Sequence, residues 1–175
     1  MMMNTILETD RRFGVLMFDP VKGEIATVGC CAEISQFQRL PDDRMKMLTL
    51  GQQRFRVLNW VREKPYRVGL VEWIEDETPD TDLRPLAQDV EALLNDVVKL
   101  SAKLTDQKIE LPDDVPDLPR ELSFWIASNL YGVASEQQSL LEMQDTKARL
   151  DREAEILGST RNHLAARTAL KDALK

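Results

Sequence analysis

The chain has 175 residues, a formal net charge of -7 and 43% hydrophobic side chains, which fits one domain, or one domain with a helical appendage, and supplies enough apolar residues for a packed core. Net acidity argues against a general nucleic-acid binder, because phosphate contacts need clustered Lys and Arg. No apolar run reaches the roughly 20 residues of a membrane span, no basic start leads into an apolar stretch as in a signal peptide, and two cysteines are too few for a disulfide framework, so the expected compartment is the cytoplasm.

Residues 3 to 10 read as a short helix with Met3, Ile6 and Leu7 on one face. Phe13 to Phe18 is an apolar run closed by the Asp19-Pro20 turn signal, which predicts a strand. Ile25 to Gln38 predicts a long extended segment. Leu40-Pro41-Asp42-Asp43 predicts a hairpin turn, with proline setting φ and aspartate closing the turn by local hydrogen bonds. Arg44 to Leu50 is expected to pair back, Gly51 to break the run, and Arg54 to Arg62 and Arg67 to Glu75 to follow as further strands. Four to five short strands with polar turns predict a small antiparallel barrel or sandwich.

The second half changes period. Glu75 to Leu83 is acidic, contains Pro79 and reads as a linker. Leu86, Val90, Leu93, Leu94, Val97 and Leu104 are spaced for an amphipathic helix over Pro85 to Leu104. Pro112, Pro116 and Pro119 among acidic residues predict a loop. Leu122 to Tyr131 predicts a buried helix. Ser135 and Gln138 carry the spacing of a capping box for a short helix through Met143. Asp145 is placed to cap a long last helix, whose seam runs through Leu150, Ala154, Leu157 and Leu164 and shifts at Ala166, Leu170 and Leu174.

Catalytic chemistry is not signalled. Gly158-Ser159-Thr160 has no lysine in position and lies within a predicted helix, so it is no phosphate cradle. There is no Gly-x-Ser-x-Gly elbow and no His-Glu-x-x-His. His163, the only histidine, sits between Arg161 and Arg167 and reads as a surface residue. Cys30 and Cys31 are adjacent, so in a strand they point to opposite faces, Cys30 with Val28, Ala32 and Ile34, and Cys31 with the more open Gly29 and Glu33. Opposite faces and the lack of a second cysteine pair argue against a zinc site, and the expected role is buried, inert packing, with a reactive Cys31 as the alternative. Asp42-Asp43 and Glu75-Asp76-Glu77 lack the ligand ladder of a calcium loop. No metal, cofactor or catalytic residue is assigned.

Charge and aromatic placement are more informative. Residues 36 to 67 hold eight basic and three acidic side chains, whereas residues 75 to 117 hold thirteen acidic and four basic. Strict alternation along Arg54 to Arg62 puts Phe55, Val57 and Val61 on one face and Arg54, Arg56, Leu58, Trp60 and Arg62 on the other. If the first set is core, Leu58 and Trp60 stand outside among Arg54 and Arg56, an aromatic ringed by cations that suits polypeptide contact. The competing reading has Trp60 covered by the helical part of the chain.

Five stretches together resemble one family: Arg12-Phe13-Gly14-Val15, Val28-Gly29-Cys30-Cys31-Ala32-Glu33-Ile34, Arg39-Leu40-Pro41-Asp42-Asp43-Arg44, Gly51-Gln52-Gln53-Arg54-Phe55-Arg56-Val57 and Pro65-Tyr66-Arg67-Val68-Gly69-Leu70-Val71-Glu72-Trp73. They are similar to the N-terminal LON domain that precedes the ATPase in Lon proteases. Phe124 to Tyr131 and Gln138 to Leu150 resemble the helical continuation of that region. The likeness is strongest to stand-alone LON-domain proteins of cyanobacteria and plastids.

The resemblance implies an α+β fold, with a PUA-like small antiparallel β-barrel, incomplete at its N-terminal part, followed by an α-helical subdomain with a long C-terminal helix. The expected divisions are a truncated barrel over residues 1–76, a linker with an amphipathic helix and a Pro-rich acidic loop over 77–119, and a helical subdomain over 120–175. It also implies a non-catalytic module that binds unfolded or damaged polypeptides or serves as an adaptor in proteolysis, since nothing here resembles the Ser-Lys dyad domain or the nucleotide loop of Lon proteases. The partners implied are non-native polypeptide, a protease or chaperone, and a second copy of the chain, with no nucleic acid and no membrane. A PUA-like RNA-binding module using residues 36 to 67 is the alternative, and a peptidase is a third. Family members usually open with a Pro- and Phe-rich strand pair before these motifs, so the natural protein is expected to be longer, or else a partner or second copy to supply the strands.

Overall fold

Antiparallel pairing between neighbours in sequence organises the first part of the chain. In the computed structural model, which describes residues 2–42, 44–130 and 134–174, the chain divides into two compact units, Met1–Glu75 and Asp76–Lys175. The first opens with helix α1 (Met2–Leu7) and continues with β1 (Arg12–Asp19), β2 (Glu24–Arg39), β3 (Met45–Arg62) and β4 (Val68–Ile74). The sheet order is β1-β2-β3-β4, and every pairing is antiparallel. The β1–β2 turn places Gly23 at φ +69, a left-handed position that glycine takes without steric cost. Asp19 closes the same turn by accepting the amides of Val21 and Lys22.

Gly51 does not end a strand. The expected strands Arg44 to Leu50 and Arg54 to Arg62 are halves of one long β3, and the ladder passes Gly51 through a register shift against Cys30 and Ala32. Extra residues on one partner let a ladder bend without breaking, so a glycine that reads as a stop works here as a bend. Two further shifts lie between β3 and β4. Val57 pairs with Val71 and Asn59 with Leu70; Trp60 pairs with Gly69 and Arg62 with Val68. Leu58 and Val61 are therefore extra residues on β3.

The second unit is helical: α2 (Arg84–Thr105), α3 (Pro119–Ser128), α4 (Ala134–Glu142) and α5 (Thr146–Ala173). Its core joins Leu83, Ala87 and Val90 to Leu122 and Ile126 of α3 and to Leu150 and Leu157 of α5. Val90, Leu150 and Leu157 are members of the expected seams, with Leu86, Leu93, Leu94, Val97 and Ala154 packed against the cluster, whereas Leu83, expected in the linker, and Ala87 are additions to them. Asp145 caps α5 as its position predicts, accepting the amides of Lys147 at 2.7 Å and Ala148 at 3.2 Å. Ser135 is not the cap of α4: the helix already includes Ala134, and Gln138 donates to Glu142 instead. The residue before Ala134 and the expected helix end at Tyr131 lie outside the described residues. At the far end, Lys171 of α5 donates to the carbonyls of Lys103 and Leu104 and pairs with Asp106, filling the unsatisfied C-terminus of α2.

The expected linker holds a buried anchor. Arg149 is fully buried and donates from Nη2 to Asp76 Oδ2 at 2.6 Å, from Nε to Ser123 Oγ at 2.8 Å and from Nη1 to the Met143 carbonyl at 2.9 Å. Its guanidinium lies 3.9 Å from the Phe124 ring centroid. Arg120 reaches the same carboxylate at 3.3 Å. A buried guanidinium is tolerable only when paired and fully hydrogen-bonded, and the partners come from the start of the unit, α3, α5 and the turn before it.

Candidate functional site

Glycines on one face of the sheet determine its shape. A Cβ at Gly14 would lie 2.7 Å from the Phe55 ring, and one at Gly29 would lie 2.3 Å from the Val15 carbonyl oxygen and 3.1 Å from Phe55. The missing side chains of β1 and β2 thus make room for Phe55 of β3, which is 4% exposed. Across β4, Gly69 lies under the Trp60 ring, its absent Cβ 3.4 Å from that ring. Trp73, paired with Phe55, meets it edge-on with centroids 6.4 Å apart.

The result is a concave apolar face enclosing a cavity of about 660 Å³. Leu16 and Phe18 come from β1, Ile25 and Cys31 from β2, Phe55, Val57 and Trp60 from β3, and Val71 and Trp73 from β4. Asp10, Arg12 and Arg67 stand among the lining residues as its charged members. Arg12 is held by Glu33 at 2.9 Å, which raises the guanidinium pKa through that hydrogen bond and charge. The guanidinium of Arg67 lies 5.1 Å from the Trp60 ring centroid, a cation–π placement.

The two bulges decide where the predicted contact residues go. Strict alternation puts Trp60 outside with Leu58. The extra residue Leu58 resets the alternation, so Trp60 rejoins Phe55 and Val57 on the cavity side. Leu58 is 57% exposed, and Val61, expected in the core, is 69% exposed because it is the second extra residue. Arg54 is 5% exposed and so is not part of an open cationic ring. Arg56 is half-buried, with Glu72 at 3.6 Å. The face opposite the cavity carries Val28, Ala32, Ile34, Arg54 and Ile74, all buried.

Cys30 and Cys31 do lie on opposite faces, but Cys31, expected on the more open side, is the more buried of the two. Burial raises both thiol pKa values, so neither is held as a thiolate. Among the described residues no group of three or more His, Cys, Asp or Glu is arranged to hold a metal, and no helix is long and apolar enough to cross a membrane. Sequence reasoning missed Arg67, Val71 and Trp73 as cavity residues. Their signal was present as alternation along β4, where Arg67, Gly69, Val71 and Trp73 share one face.

Comparison with known proteins agrees with this architecture. The family model of the ATP-dependent protease La (LON) substrate-binding domain matches residues 1–159. The Lon protease of Anaeromyxobacter dehalogenans and Lon protease 2 of Myxococcus xanthus are each 29% identical over 159 residues, covering 90% of this chain and 19% of each relative. The chain thus spans about a fifth of the length of these curated relatives. Among solved structures, a Lon N-terminal domain protein from Xanthomonas campestris superposes with a TM-score of 0.59 at 24% identity, covering 86% of this chain and 79% of that one. The N-terminal domain of the Mycobacterium avium complex Lon protease superposes with a TM-score of 0.60 at 16% identity, covering 91% and 82%. These two likenesses concern the fold, an antiparallel four-stranded sheet with helices. With its family model matched over most of its length, the chain belongs to the LON substrate-binding domain family.

Proposed function

We propose that this chain binds unfolded or damaged polypeptide through the concave face of its sheet and acts in substrate recognition or as an adaptor for proteolysis, without cleaving peptide bonds itself. The observation that carries this reading is the match to a substrate-binding domain over residues 1–159. The apolar cavity supports it: large apolar side chains of a non-native segment are what such a face buries favourably. Trp60, in the cavity wall, is the proposed contact on this face, whereas Leu58 is exposed on the outer side of the same strand and lies outside the proposed surface. Arg56, whose charge is shared with Glu72, likewise lies off the cavity lining.

Fluorescent casein, an unfolded protein, tests the reading. Casein is expected to bind the purified chain and to bind more weakly to Trp60→Ala, with a salt dependence much shallower than that of nucleic-acid binding. A chain that binds no casein, or that cleaves it after removal of contaminating proteases, refutes the proposal. Binding of single-stranded RNA with a steep salt slope would favour the nucleic-acid alternative.

A further inference from the structure

The sheet ends at β4, and the cavity is built against it. Within the described residues β4 pairs only with β3, so its outer edge carries no ladder partner. Unpaired edges of this kind accept an added strand. The side chains that β4 turns to the cavity are Arg67 just before its start, then Gly69, Val71 and Trp73. Arg67 is exposed, stacks on Trp60, and has no carboxylate partner among the described residues. The other cationic lining residue, Arg12, is already neutralised by Glu33. The lining carboxylate, Asp10, stands beside Arg12 on the β1 side, so along the β4 edge the charge facing a ligand is that of Arg67, which complements a ligand with a negative charge at that end and apolar groups beyond it.

We infer that the occupant is an extended polypeptide segment lying along the β4 edge, with a carboxylate side chain facing Arg67 and large apolar side chains at the next two alternate positions. The spacing follows from the strand period of two, which sends residues i, i+2 and i+4 to one face. The carboxylate at i meets Arg67, and the apolar groups at i+2 and i+4 enter between Trp60 and Trp73. This inference rests on the proposed polypeptide-binding role and deepens it: substrates would be selected by an acidic residue two positions from an apolar pair, not by apolar content alone.

The test uses the full chain and three fluorescein-labelled ten-residue peptides of Ser and Thr. The first carries Glu, Leu and Phe at alternate positions. The second has Lys in place of Glu. The third has Glu moved by one position, so that its carboxylate points away from the cavity face. The first peptide is expected to bind about five- to tenfold more tightly than the other two at low salt, in line with a partly exposed ion pair replaced by repulsion or loss. Arg67→Glu is expected to reverse the preference between the first two. Trp73→Ala, at a half-exposed side chain whose loss leaves the Phe55 cradle in place, is expected to weaken all three. Casein binding that persists alongside equal affinity for the three peptides, or a charge preference unchanged by Arg67→Glu, overturns this inference and leaves polypeptide binding standing. Loss of casein binding in the wild-type chain refutes the broader function as well. Sedimentation velocity covers a different occupant: a dimer dissociated by Arg67→Glu or Trp73→Ala would place a second copy at the edge and overturn the inference.

Discussion

At the scale of single residues, the helical unit holds two ionisable groups in one buried neighbourhood with opposite solutions. Arg149 is buried and satisfied by Asp76, Ser123, Met143 and Thr146. Glu153, one turn further along α5, is buried with neither carboxylate oxygen hydrogen-bonded among the described residues. Burial pushes its pKa up to about 8, against an opposing pull from Arg149. The folded chain therefore keeps a proton that the unfolded chain releases near the ordinary carboxyl value of 4.5. Between these two values the unfolded state binds fewer protons, so stability falls as pH rises through the window and levels off above it. The slope approaches about 1.4 kcal/mol per pH unit at most. Glu153→Gln should flatten this dependence: urea midpoints of the wild type are expected to drop from pH 5 to pH 8.5, and those of the variant to stay level. An equal drop in both would assign the effect to other groups.

At the scale of elements, the sheet depends on residues with no side chain. Gly29 and Gly14 leave the space that Phe55 fills, and Phe55 is the floor of the cavity. Gly29→Ala places a Cβ 2.3 Å from the Val15 carbonyl oxygen, which is backbone and cannot rotate away. The β1–β2 ladder must shift, at a cost of about 1–3 kcal/mol or more by analogy with overpacking. Chemical denaturation is expected to show that loss, with hydrogen exchange rising first in β1; a wild-type denaturation midpoint would contradict the cradle. The bulges act at the same scale. A pattern reader assigns Trp60 and Val61 by alternation and gets both faces reversed, because the register of β3 is set by its pairing with β4 and not by its own residues. The strand regions and the two long helices were legible, since periodicity is local, but β3 runs through the break expected at Gly51, and Asp43 of the expected hairpin turn lies outside the described residues.

At the scale of the whole molecule, each unit carries its own organisation. The helical unit keeps its apolar cluster, from Leu83 to Leu157, and its buried ion pair within Asp76–Lys175. A fragment of residues 76–175 is expected to fold alone, with helical circular dichroism and a cooperative melt. In that fragment Arg149→Leu should lower stability by about 3 kcal/mol, the low end for breaking a buried pair, because Asp76, 5% exposed, loses its buried guanidinium and keeps only Arg120 at 3.3 Å and the Thr146 hydroxyl at 3.1 Å. A fragment lacking a cooperative melt would show that the unit depends on residues outside it.

The amino-acid sequence by itself determined the α+β class, the order of strands and helices, the cap at Asp145, the apolar seam of α2 and α5, and the likeness to LON domains, because each is written in neighbouring residues or in combined motifs. Only the tertiary structure decided that Asp76 is a buried partner of Arg149, 73 positions away, and not part of a linker. It also decided that Trp60 faces a cavity while Leu58 and Val61 face out. The physical reason is the same in both cases. A buried ion pair and a bulged register are settled by what the opposite element offers, and no local pattern carries that information.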